Sequence, residues 1–489
     1  MYRKAKPKSE VKETEKYSQY WHDDAQKAIA SKRHMELNKN VAKNIILFLG
    51  DGMSFATIKA ARVYMGQQNG EDGERTKLAM ENFPFTGIVK TYCLDTMIPE
   101  SACTATAFLC GIKGNYGTVG VNGFVKRFDC NESKKTNNRI DSIAGWAQAA
   151  GKRTGFVTTA TVTDASPAGI YAHTANRNWE NDANMVTASE CEDSAYQLIH
   201  GDVGKKLNVI MGGGRQNFLP ETVQITPDIH GKRLDGRNLI EEWLDAKKKE
   251  KTSYVSVKTG LNKAVDAKVD YLLGLFANKH MNFILEDRNG EYPTLEEMTE
   301  AAIKLLSKGK KGYFLFVEAG LIDKAHHQNR AYKAITEAVE LSKAVRKATK
   351  ITDARNTLIV VISDHSQGLG ISGPAARGSD VLRFTDRLSS SNKRYTILSY
   401  TSGPGHRNNE YVERLYQNDT FDVNLQHPAL VPNSHSFHSG EDVAVFALGP
   451  WAHLFSGVTD QHVLPHIMAF ASCIGKGETV CKKNKKRKP

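Results

Sequence analysis

Three runs of bulky apolar residues constrain this chain most, because each one stops at a residue able to bind a cation. Asn44 to Leu49 (NIILFL), Tyr313 to Val317 (YFLFV) and Thr357 to Ser363 (TLIVVIS) are too continuous for strands with one wet face. They read as strands buried on both faces of a mostly parallel sheet. The first ends in Gly50-Asp51-Gly52, the second in Glu318 and the third in Asp364-His365. Ligands bind at the carboxyl ends of strands in open α/β sheets, so these three ends predict one site. The chain has 489 residues and 40% hydrophobic content, enough for one large domain with insertions. The predicted fold class is therefore α/β: a large central, mostly parallel sheet flanked by helices on both faces.

Other residues join by spacing and setting. Asp323 and His327 stand four apart. A helix over Lys324 to Tyr332 would place both side chains on one face, as a zinc ion requires. Ser101 opens a helix of small residues, Ala102 to Ala107, so the positive end of the helix dipole points at its hydroxyl. The loop ATVTDASPAGIYAHTANRNW offers Asp164 and Ser166 as oxygen ligands and Arg177 as a planar fork for two phosphate oxygens. His438 precedes a further core strand, GEDVAVFALGP. Taken singly these are ordinary features: Ser101 an N-cap, Asp164 and Ser166 turn formers, Asp323 and His327 solvated charges. Taken together, three histidines with mixed carboxylates suit zinc, and Asp, Glu and Ser oxygens suit magnesium, so the set divides into two zinc sites and one magnesium site. Two zinc ions a few ångströms apart supply what phosphoryl transfer needs, and Ser101 then has a reason to react.

The remaining chain sets bounds. The net charge of +12 is concentrated in the tails, at Arg3, Lys4, Lys6 and Lys8 and in the run from Lys482 to Lys488. Both tails, residues 1–16 and 482–489, read as solvated basic segments, the first disordered, with no nucleic-acid partner. Tyr17 to Met35 reads as an amphipathic helix anchored by Tyr20 and Trp21, residues 216–291 as surface helices and loops, and residues 373–433 as an inserted, crown-like surface subdomain. No run approaches about 18 apolar residues, so membrane association is not supported. Cys130 with Cys191 and Cys473 with Cys481 suit two disulfides, whereas Cys93, Cys103 and Cys110 read as unpaired. Sequons at Asn131 and Asn418 favour a secreted or extracellular location. The charged start MYRKAKPKSEVKETEKY lacks the apolar core of a signal peptide, and the C-terminus lacks a lipid-anchor signal, so the export signals conflict.

The phrases LFLGDGMS, SACTATAFLCGIKGNYGTVGV, ASPAGIYAHTANRNW, FLFVEAGLIDKAHH, SDHSQG and HSGEDVAVFALGP, in order from about Tyr17 to Cys481, resemble those of the animal alkaline phosphatases. The resemblance implies a homodimeric metalloenzyme that hydrolyses phosphate monoesters at alkaline pH through a phosphoserine, with two zinc ions and one magnesium per subunit. It matches Ser101 to the nucleophile and Arg177 to the phosphate-gripping arginine. Asp323, His327 and His438 match the ligands of one zinc, and Asp51, Asp364 and His365 those of the other. Asp51, Ser166 and Glu318 match the magnesium ligands, and His326 is no ligand.

Departures from the animal pattern are confined to a few places. Glu100 stands for an Asp before the nucleophile, Asp164 and Lys324 for two histidines, Gln367 for another histidine, and Pro374 for a tyrosine that reaches the neighbouring subunit. The family's calcium site keeps Phe276 but has Ala277 where an acid follows. Asp164 with Lys324 resembles the bacterial pairing, in which the lysine contacts phosphate through water and the aspartate orients water on magnesium. The extra methylene of Glu100 is expected to shift the carboxylate that positions Arg177. The alternative reading is a catalytically weakened paralogue serving as a binding or receptor protein; a metal-dependent phosphodiesterase or sulfatase is a third. Intact ligands favour the enzyme, and the Ser–Arg pair favours monoesters.

Overall fold

The computed structural model describes residues 13–185, 190–287, 289–406 and 422–481. Ten strands form the main sheet: β1 Asn44–Gly50, β2 Phe85–Lys90, β3 Arg153–Thr161, β4 Val209–Gly213, β5 Thr252–Val255, β6 Tyr271–Leu275, β7 Tyr313–Ala319, β8 Thr357–Ser363, β9 Val443–Leu448 and β10 Gly457–Asp460. Their order is β10-β2-β9-β8-β1-β7-β3-β4-β6-β5. From β8 to β5 every neighbouring pair is parallel, and β9 alone runs against both its neighbours. The parallel expectation thus holds for the central strands.

Alternation within β1 explains the two-sided burial. Ile46 and Phe48 enter one core, while Ile45, Leu47 and Leu49 enter the other, on the opposite face. The first core packs under α2 (Phe55–Gln68), α4 (Leu295–Leu306) and α6 (Ala331–Ile351). The second packs under α3 (Ser101–Cys110) and α7 (Leu464–Ser472). Phe314 and Phe316 of β7 are wholly buried; truncating either to Ala would cost about 3–5 kcal/mol through lost contacts and a cavity. A rigid sheet of this kind fixes whatever stands at its strand ends.

Several expectations are corrected. Residues 216–291 are not surface elements only, since they supply the last two strands of the sheet, β6 and the edge strand β5; the dense charge around YLLGL hid a buried strand. The helix expected over Lys324 to Tyr332 is instead α5 (Leu321–His327), followed by a break before α6, with Asn329 in the left-handed region at φ 54°. Its buried side chain donates to Ser402 O at 3.0 Å and accepts from Gly405 N at 2.7 Å. The N-terminal helix α1 (Ser18–Lys32) buries none of its residues; Arg75 holds it, stacked over Tyr20 and Trp21 and bonded to Asp24. Glu13–Lys16 form a turn in which Glu15 is buried against Arg377, so that part of the expected disordered tail is ordered. Residues 1–12 and 482–489, and the sequon at Asn418, lie outside the described residues. Cys130–Cys191 and Cys473–Cys481 are disulfides as expected. Cys93 and Cys103, expected to be unpaired, form a third, leaving Cys110 free; their small neighbours concealed how closely the two loop ends approach. Asn131 is exposed on a short helix, Cys130–Lys134.

Candidate active site

The strand ends do meet. Asp51 follows β1, Glu318 lies in the last turn of β7, and Asp364 and His365 follow β8, the three central neighbours of the sheet. Ser101 is the first residue of α3 and is buried; its Oγ stands 3.2 Å from His365 Nε2. Asp323 and His327 share a face of α5, with Nε2 of His327 3.1 Å from Asp323 Oδ2. His438 reaches the same point: its Nε2 is 3.1 Å from His327 Nε2 and 3.5 Å from Asp323 Oδ1. His365 Nε2 lies 3.2 Å from Asp364 Oδ2 and 3.5 Å from Asp51 Oδ1. The residues matched to metal ligands thus fall into the two expected triads around Ser101, and Asp323, His365 and His438 also come within ligand distance of one another.

The protonation pattern says what this cluster lacks. Each of the three imidazoles turns Nδ1 to a backbone carbonyl, Ser436 for His327, Ser366 for His365 and Pro99 for His438. A carbonyl only accepts, so each Nδ1 carries a proton and each Nε2 is turned to the centre. Burial opposes charge on His327, but Asp323 beside its Nε2 outweighs it and raises its pKa, favouring the charged form. Burial keeps His365 neutral, lowering it to about 4, and lowers His438 to about 3 with help from His365. Burial likewise lifts the carboxyl groups of Glu318, to about 8, and Asp364, to about 6, and it lifts Asp51 further, aided by Asp364 and Asp323. Asp51 Oδ1, Asp364 Oδ2 and Ser166 Oγ are buried with no hydrogen-bond partner among the described residues. The neutral Nε2 atoms of His365 and His438 turned to one centre, beside buried carboxylate oxygens without partners, are unfavourable unless a cation stands between them, so the donor set fits divalent metals. Nitrogen and carboxylate donors at the triads suit zinc; the all-oxygen group of Asp51, Glu318 and Ser166 suits magnesium.

A second cluster is the reverse, fully paired. Glu100 is the N-cap of α3; its carboxylate accepts from Ala102 N at 2.9 Å, Cys103 N at 2.8 Å and Gly117 N at 2.9 Å, and binds Arg177 Nη1 at 2.7 Å. The longer side chain of Glu100 reaches the guanidinium while capping the helix. Burial opposes its charge, but Arg177 and the three N–H groups hold Glu100 below the usual carboxylate range. Arg177 Nη2 meets Asp164 Oδ1 at 3.0 Å, and Asp164 Oδ2 meets Lys324 Nζ at 3.0 Å. Burial disfavours the ammonium of Lys324, yet Asp164 and Asp323 outweigh it and keep it charged. Gln367 donates to Asp323 Oδ1 and so fixes that carboxylate. His326 is buried between Thr57 Oγ1 at 2.9 Å and Tyr400 OH at 2.8 Å, pointing away from the centre.

Sequence reasoning missed Thr158, which donates to Glu318 and is paired with it across β3 and β7, and His280, whose Nδ1 accepts from Thr161 N at 3.1 Å beside Asp164. Only strand register could have disclosed the first. A cavity of about 740 Å³ opens beside His327 and His438, walled by Met97, Ile98, Tyr116 and Phe437. No helix among the described residues is long and apolar enough to cross a membrane.

Comparison with known proteins places this geometry. A family model described as alkaline phosphatase matches residues 42–474. The chain is 43% identical over 482 residues to a membrane-bound alkaline phosphatase of Bombyx mori, covering 96% of this chain and 87% of that one. It is 43% identical over 483 residues to the tissue-nonspecific isozyme of Rattus norvegicus, covering 96% and 91%. Among solved structures, the alkaline phosphatase of Thermus thermophilus superposes with a TM-score of 0.65 at 22% identity, covering 90% of this chain and 93% of that chain. A mutant of the enzyme from TAB5 with Mg bound superposes with a TM-score of 0.64 at 22% identity, covering 90% and 100%. These two likenesses concern the fold.

Proposed function

Starting from the chain's membership of the alkaline phosphatase family, whose activity is phosphomonoester hydrolysis, we propose that it works through a phosphoserine on Ser101, with two zinc ions, one magnesium ion and an alkaline optimum. The observation that carries this is the convergence of three imidazole Nε2 atoms and unpaired carboxylate oxygens around the Ser101 hydroxyl. Asp323, His327 and His438 would hold one zinc, Asp51, Asp364 and His365 the other, and Asp51, Ser166 and Glu318 the magnesium. When bound, the zinc ions lower the pKa of an attacking oxygen and neutralise charge on the leaving one.

The chain's own residues do the rest. Ser101 Oγ sits at the amino end of α3, where the helix dipole favours a developing oxyanion. It attacks phosphorus as the bond to the alcohol oxygen breaks, and the alcohol departs with a proton. Water then attacks the phosphoserine; its oxygen leaves in inorganic phosphate and one of its protons goes to Ser101 Oγ as the Ser–phosphate bond breaks. Arg177, held at one nitrogen by Glu100 and at the other by Asp164, is oriented to receive two phosphate oxygens in both steps. Lys324, fixed by Asp164, adds positive charge at the phosphate's edge. Small phosphate monoesters are the substrates and the working unit is a homodimer. Three disulfides support a secreted or extracellular location. The binding-protein alternative was prompted by Glu100, Gln367 and the tails; the 2.7 Å contact of Glu100 with Arg177 and the bond from Gln367 to Asp323 favour the enzyme.

The test is hydrolysis of a chromogenic phosphate monoester from neutral to strongly alkaline pH, with zinc and magnesium supplied, beside a Ser101→Ala control. Turnover that rises toward alkaline pH and disappears in the control is expected. Absence of turnover with zinc demonstrably bound would transfer the reading to a binding protein.

A further inference from the structure

The loop between β2 and α3 is closed on itself by the Cys93–Cys103 disulfide, ten residues apart in the chain, with both cysteines buried. What it encloses is the machinery of the proposed reaction. Pro99 O fixes His438 through Nδ1 at 2.9 Å, Glu100 grips Arg177 at 2.7 Å, and Ser101 follows. Cys103 itself donates its backbone N–H to the Glu100 carboxylate at 2.8 Å. At the other end, Cys93 N donates to Thr96 O at 3.1 Å and Leu94 N to Gly114 O at 2.9 Å, tying that end to the loop that follows α3.

Between these anchors the loop has little core of its own. Leu94 is 55% exposed and Met97 80% exposed, so apolar burial does not hold the span that leads into Pro99. Three groups of different roles thus hang on a segment held by a few hydrogen bonds, among them Tyr116 N to Asp95 Oδ1 at 2.8 Å and Thr96 Oγ1 to Ile98 O at 3.0 Å, and by one covalent bond that closes it. Closing a loop removes conformations that would otherwise compete with the one seen.

We propose that the Cys93–Cys103 disulfide is a positioning element for phosphoryl transfer, holding the Pro99–Ser101 turn so that the nucleophile, the Arg177 clamp and His438 keep their mutual registry. The proposal rests on the phosphomonoesterase reading. Misplacement of reacting groups by about 1 Å lowers rate roughly a hundredfold, so loosening this loop acts on catalysis before it acts on the fold.

The experiment compares two holoenzyme variants, Cys93→Ala/Cys103→Ala and, as a control remote from the site, Cys473→Ala/Cys481→Ala, which opens a loop of similar length, eight residues apart in the chain. Each is measured for thermal midpoint, for kcat/KM on a chromogenic phosphate monoester, and for affinity for inorganic phosphate by calorimetry. The first variant should lose about ten- to a hundredfold in kcat/KM and bind phosphate severalfold more weakly, while the control keeps both at a comparable midpoint. Equal kinetics and phosphate affinity in the two variants would overturn the proposal. So would three free thiols, instead of one, in the denatured, unreduced wild-type chain. If the alanine pair does not fold, Cys93→Val/Cys103→Ala fills the site with apolar volume; failure of that variant too would assign the bond to folding alone and overturn the proposal. A wild-type protein without turnover defeats the phosphomonoesterase reading separately, and the phosphate affinities then still decide the role of the disulfide.

Discussion

Two clusters share the carboxyl edge of the sheet and differ in how their charges are met. Around Arg177 every charge is answered by protein: Glu100 and Asp164 take its two nitrogens, three backbone N–H groups complete Glu100, and Lys324 completes Asp164. Around His365 and Asp51 the same sheet presents the neutral Nε2 atoms of His365 and His438 and buried carboxylate oxygens that accept nothing among the described residues. The first cluster is rigid before anything binds. The second is an arrangement that the sheet enforces against its own electrostatics, which is how a fold stores affinity for a cation. The difference teaches that preorganisation here has two sources, ion pairs for the phosphate clamp and strand geometry for the metal cradle.

Removing metal should separate them most sharply. Exhaustive chelation is expected to abolish turnover and to lower the thermal midpoint, because a ligand bound only by the folded state at about 1,000 times its dissociation constant adds about 4 kcal/mol of stability. Scanning calorimetry with and without chelator measures it; an unshifted midpoint would mean that the His365–Asp51 cluster is stable empty, and the contrast would fail. Glu100→Gln attacks the other cluster. It keeps the shape but removes the charge that answers Arg177, and kcat/KM should fall by about a hundredfold with metal content unchanged. Loss of metal in that variant would show that the two clusters are one.

How much of this was legible follows the same division. The convergence of Asp51, Glu318 and Asp364 was readable because each stands at the end of an unbroken apolar run; one such acid alone reads as a solvated charge, and only the three strand ends together point to one site. His327 was selected over its neighbour by its spacing from Asp323, and His326 is indeed turned to Thr57 and Tyr400. The paired cluster was legible in its members but not in its geometry, since nothing local says that a glutamate can serve as N-cap of α3 and still reach Arg177. The Cys93–Cys103 bond, Thr158 and the last strands β6 and β5 depend on contacts between segments apart in sequence or hidden by charge, which periodicity does not report.

The smallest effect tests whether the clamp works as a unit. Asp164 and Lys324 are bonded to each other at 3.0 Å, and Asp164 also binds Arg177. Asp164→His alone would leave Lys324 and Arg177 without the carboxylate they share, so phosphate binding should weaken and turnover fall about tenfold. Lys324→His alone would leave Asp164 with Arg177 only, and should change turnover by less. If the pair is a coupled unit, the double substitution should be milder than the sum of the two, with a coupling of about 0.5–3 kcal/mol, the range seen for side chains in one ion-pair network. Strict additivity in kcat/KM across the four proteins would mean that Arg177 is aimed by Glu100 by itself, and that the Asp164–Lys324 contact is a bystander to the clamp.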